Sequence, residues 1–82
     1  MRVKCYKEGY GDDAREYDLA PVDAVQQFCY DDTNLLDRDF ISVVVVPLDD
    51  EAKRLPGWIS DEDDPMYKLY TARASVRWDV SE

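Results

Sequence analysis

Carboxylates are the only side chains dense enough in this chain to suggest chemistry, and fifteen of the nineteen fall into four groups. Asp12, Asp13, Glu16 and Asp18 come first, then Asp31, Asp32, Asp37 and Asp39. Asp49, Asp50 and Glu51 form the third group, and Asp61, Glu62, Asp63 and Asp64 are contiguous. Three kinds of chemistry use such residues. Glycoside hydrolysis needs a protonated acid beside an ionised partner in a cleft, whereas these acids cluster in apparent loops of a short chain. A calcium loop would place Asp61, Asp63 and Pro65 at its first, third and fifth positions, but Met66 stands where its glycine belongs and the distal glutamate is missing. The third use is direct: carboxylates spaced like phosphates offer a basic groove the charge it normally takes from nucleic acid.

The remaining catalytic repertoire is thin. Without histidine there is no Ser-His-Asp triad and no histidine zinc site. Only three glycines are present and none form a phosphate-cradling loop. Cys5 and Cys29 lack metal or redox spacing and read as buried thiols acting as small hydrophobes. No enzyme activity, cofactor or metal is therefore expected. Two aromatics, Trp58 and Tyr67, bracket the Asp61–Asp64 run; such residues often anchor protein interfaces. The alternative for Trp58 is that it closes the edge of the core.

Nineteen acidic residues against ten basic ones set the net charge at −9 over 82 residues. That excess favours solubility and attraction to positive partners, and it opposes direct contact with nucleic acid or an anionic membrane. A hydrophobic fraction of 45% is enough for a folded core in one domain spanning residues 1–82. The start of the chain has no apolar signal region, so a cytoplasmic location is expected.

The elements that must position these groups are legible in outline. Phe40 to Leu48 is the only long apolar run; its four valines are β-branched, so it reads as a central strand covered on one face and at least partly on the other. Arg2–Lys7 and Ala14–Leu19 alternate weakly around a Gly9–Gly11 turn, predicting a hairpin with Tyr17 and Leu19 inward. Pro21 suits a first helical position, and Val22, Val25, Phe28 and Cys29 fall on one stripe, which predicts a helix over 21–31. Two aspartates at its end oppose the helix dipole, a local conflict that asks for a reason. Asp49 or Asp50 is placed to cap a short turn before Pro56-Gly57. Tyr67–Val80 alternates without a break and reads as one long strand. The expected fold is α+β: a four-stranded antiparallel sheet in β-β-α-β-β order, with one amphipathic helix on one face. Phe28, Val25 and Cys29 are expected to meet Val43 or Val44, Val76 and Trp78.

With its acidic groups, and with Gly11-Asp12-Asp13-Ala14-Arg15-Glu16 leading through Ala20 into the helix, the chain resembles small phage and mobile-element inhibitors of the DNA-mimic anti-CRISPR type. The resemblance implies a stoichiometric inhibitor in a bacterial host cell that binds a Cas effector or another basic nucleic-acid-binding complex. The other reading of the residues is a generic interaction module, or a phage accessory protein, whose acidity serves solubility.

Overall fold

The computed structural model describes residues 1–31, 40–60, 66–74 and 78–82. The fold is α+β, with a five-stranded antiparallel sheet and one main helix. Its strands are β1 (Val3–Lys7), β2 (Arg15–Tyr17), β3 (Phe40–Pro47), β4 (Lys68–Ala74) and β5 (Trp78–Ser81), arranged β2-β1-β3-β4-β5. Helix α1 (Pro21–Asp31) covers one face of the sheet, and a single turn, α2 (Asp50–Lys53), follows β3. A 3-10 turn over Gly11–Asp13 joins β1 to β2.

The expected long final strand is instead two. β5 returns antiparallel along β4, with Ala72 opposite Val80 and Ala74 opposite Trp78. Ala74 and Trp78 stand four positions apart, an even offset, so the period-2 alternation passes through the reversal unchanged. Tyr70, Ala72 and Trp78 accordingly all point into the same core. The sheet therefore has five strands rather than four; Val76, with its neighbours at 75–77, lies outside the described residues.

The hairpin and helix also differ from expectation in detail. β2 stops at Tyr17, and Leu19 is exposed rather than inward, because the chain leaves the sheet there to enter α1. In α1 the buried residues are Pro21, Ala24, Val25, Phe28 and Cys29. These follow an i, i+3, i+4, i+7, i+8 pattern, which places Val22 outside the stripe. Val22 is exposed.

Phe28, Val25 and Cys29 pack with Val3, Cys5, Val43, Val45 and Trp78 in one core. The second face of β3 is also largely closed: Val44 and Val46 are 7% exposed although α1 lies on the other side. Gln26 Nε2 donates to the Trp78 carbonyl (2.9 Å), tying the edge strand β5 to the helix.

Both cysteines are free and buried. Burial, with Cys29 close by, pushes the Cys5 thiol up to about 12. A protonated, enclosed thiol is a poor nucleophile. Labelling of native protein by a thiol-specific reagent should therefore run about 10³-fold or more below that of the denatured chain, limited by opening of the core. Labelling of either cysteine at free-thiol rates would show that the core is not closed.

Candidate functional site

Charge is partitioned between the sheet and what connects it. On the five strands, Lys4, Lys7, Arg15, Lys68 and Arg73 stand against Glu16 and Asp79, which leaves the strands at +3. The described residues outside the strands sum to −7, with Arg2, Lys53 and Arg54 against ten carboxylates. The physical cause is local. Strands select β-branched and aromatic residues, and turns and helix starts select Asp.

Strand register decides which acids come together. β1 begins, and β2 and β3 end, at one end of the sheet: Val3 lies opposite Tyr17 on one side and Pro47 on the other. Asp18, just past β2, and Asp49, Asp50 and Glu51, just past β3, are thereby gathered at that end. The Met1 ammonium sits among them, 3.2 Å from Asp18, 3.8 Å from Asp49 and 3.7 Å from Glu51. Lys53 and Arg54, at the far end of α2, are exposed nearby. β4 also starts here, where an isolated bridge pairs Ile59 with Tyr67. Asp12 and Asp13, neighbours of Asp18 in sequence, sit on the 3-10 turn at the opposite end of β1. Both are exposed.

Several carboxylates are committed to the fold. Asp49 caps α2: its Oδ1 accepts from the Ala52 N–H (2.8 Å) and its Oδ2 from the Arg2 N–H (2.9 Å). The Ala52 bond is the main reason its carboxyl is held below the usual range. Asp31 answers the conflict at the end of α1. Gln27 Nε2 donates to its Oδ1 (2.9 Å) and the Tyr17 hydroxyl to its Oδ2 (2.8 Å), and these bonds, Gln27 first, lower its pKa. Glu16 pairs with Arg2, and Glu82 with Lys68. Asp50, in contrast, is exposed in the first turn of α2 and has no side-chain partner among the described residues.

Trp58 is half-buried against the core, its Nε1 donating to the Ala52 carbonyl (2.9 Å) while the Lys68 ammonium lies 5.1 Å over its ring. That is the core-edge role weighed for it. Tyr67 is half-buried at the bridge with Ile59. Asp32, Asp37, Asp39, Asp61, Glu62, Asp63 and Asp64 lie outside the described residues.

Among the described residues no group of three or more His, Cys, Asp or Glu is arranged to hold a metal. No helix among them is long and apolar enough to cross a membrane. The arrangement holds exposed carboxylates from two segments at one end of a sheet whose strands are not acidic. A second surface went unread in the sequence, the sheet face opposite α1, where Phe40 and Leu69 are exposed. Its signal was present in the even positions of β3, but the run of valines hid which face each belonged to.

Compared with protein-family models, curated proteins and solved structures, the chain gives no match.

Proposed function

We propose that this chain acts by occupancy rather than chemistry, as an inhibitor whose carboxylates take the place of phosphates on the basic surface of a nucleic-acid-binding complex. CRISPR effectors are one such class, and the setting is the cytoplasm of a bacterial host cell. The observation behind the proposal is the partition of charge, with strands at +3 and the other described residues at −7. A mimic of nucleic acid needs its charges outside the packed framework, where they stay solvated until the partner replaces the solvent. Asp18, Asp50 and Glu51 supply the described part of the docking surface.

The competing reading is a generic interaction module whose acidity has other uses. It is favoured by Asp31, Asp49 and Glu16, whose oxygens serve the chain itself.

The two separate in one experiment. The immobilised chain is used to capture partners from bacterial lysate, eluted with a salt gradient, and the eluted complex is titrated against labelled duplex DNA. Occupancy of a nucleic-acid site predicts mutual exclusion of chain and duplex, with affinity falling about tenfold or more between roughly 50 and 200 mM salt. A partner that holds chain and duplex together, or a complex indifferent to salt, would defeat the proposal.

A further inference from the structure

A helix of one turn does not persist on its own, because it gains too few hydrogen bonds to offset the ordering of its backbone. α2 is such a turn, four residues long, and it carries Asp50 and Glu51 exposed at its start. Groups outside the turn must therefore hold it, and there is a brace at each end. At the start, Asp49 ties the turn to the segment entering β1: one carboxylate oxygen accepts from the Ala52 N–H and the other from the Arg2 N–H. At the far end Trp58 closes it. The indole Nε1 donates to the Ala52 carbonyl (2.9 Å), an oxygen that also accepts from the Leu55 N–H (3.2 Å). Of the turn itself only Ala52 is buried, and a methyl group is a small anchor.

Backbone and sheet together direct the indole to that carbonyl. Gly57, at φ +93°, reverses the chain after α2 in a conformation that other residues rarely adopt. A Cβ there would lie 3.0 Å from Lys68 Cε, so the glycine also leaves room for the lysine stem. Lys68 belongs to β4, opposite Val45 of the central strand. Its ammonium lies 5.1 Å over the Trp58 ring and pairs with Glu82 at 2.9 Å, and its side chain is only 12% exposed. The ring thus rests on a lysine that the sheet holds in place.

We infer that Trp58 is a positioning residue for the docking end: through its indole N–H it holds α2 in place and so sets where Asp50 and Glu51 point. What those carboxylates meet rests on the function proposed above, whereas the brace belongs to the free chain. Trp58 acts through Ala52 and needs no contact with the partner. Its contribution is to order the turn beforehand, since affinity falls in proportion to the fraction of molecules in which the binding form is present.

The brace is tested on the free chain. Trp58→Phe keeps a ring beside Lys68, removes the N–H and leaves the net charge at −9. Amide hydrogen exchange at Ala52, Lys53, Arg54 and Leu55 should speed up about fivefold, as loss of one hydrogen bond implies. Val25→Ala is the control: it weakens the core under α1 and lowers the melting temperature, but should leave exchange in α2 as it was. Gly57→Ala, with the indole intact and the reversal strained, should loosen α2 in the same direction as Trp58→Phe.

Docking is tested by displacement of labelled duplex DNA from the captured complex. Trp58→Phe should weaken displacement about twofold to fivefold in the parent, and not at all in an Asp50→Asn/Glu51→Gln background, where it positions nothing that the partner reads. Exchange in α2 that ignores Trp58→Phe, or that rises equally in Val25→Ala, would overturn the inference. So would an equal loss of displacement in both backgrounds, which would make Trp58 a contact in its own right. Neutral substitution of Asp50 and Glu51 without any loss would instead remove the proposed docking end, and exchange in α2 would still decide the brace.

Discussion

Replacing Asp50 and Glu51 together with lysine is expected to weaken binding to the basic partner roughly 100-fold, because two attractive contacts become repulsive ones at a closing interface. Asp12→Lys with Asp13→Lys is the matched comparison. Each double variant adds four charges and moves the chain from −9 to −5, so the two are identical in net charge and differ only in place. Asp12 and Asp13 lie at the opposite end of β1, and reversing them should cost less than about tenfold, through screened long-range attraction alone. Both pairs are exposed, so both variants should melt within a few degrees of the parent. Titration of the partner with each variant, read by DNA displacement, makes the comparison. Equal losses would mean that acidity works through total charge only, and no loss in either would remove the docking end altogether.

Phe28→Ala is the substitution with the largest expected effect on the fold. Phe28 is 1% exposed, the largest of the fully buried side chains among the described residues, and packs in the cluster that joins α1 to the sheet. Truncating a buried phenylalanine costs about 3–5 kcal/mol in lost transfer energy and residual cavity. A domain of 82 residues has roughly 4–12 kcal/mol of stability in all, so the variant should lose about 15–30 °C of melting temperature or fail to fold at ambient temperature. Val22→Ala, six positions earlier on the same helix but 49% exposed, should change stability by less than about 0.5 kcal/mol. Denaturant titrations of the pair, followed by circular dichroism, decide the matter. A loss below about 1 kcal/mol at Phe28 would mean that α1 does not pack as described.

The helix shows how far local sequence reaches. Its limits, Pro21 to Asp31, follow from a proline fitted to the first turn and an apolar period of 3.6. The edge of its stripe was less legible: Ala24 is buried and the larger Val22 is exposed, because the buried stripe runs through Pro21, Ala24, Val25, Phe28 and Cys29. Asp49 was recognisable as a cap because capping is decided within three residues. Asp31 looked misplaced for the same reason, since its Tyr17 partner is fourteen positions away and comes near only when β2 and α1 are packed.

The sequence by itself therefore determined the central strand, the main helix, the capped turn after β3 and an acidity concentrated in the connections. Each of these depends on neighbours within a few residues. Only the tertiary structure decided that Tyr67–Val80 folds back as two strands, that Asp18 parts from Asp12 and Asp13 to join Asp50 and Glu51, and that Phe40 and Leu69 lie exposed on the face opposite α1. These three depend on pairing register. An antiparallel reversal with an even offset leaves no mark on alternation, and register brings together residues some thirty positions apart, Tyr17 and Pro47 on either side of Val3.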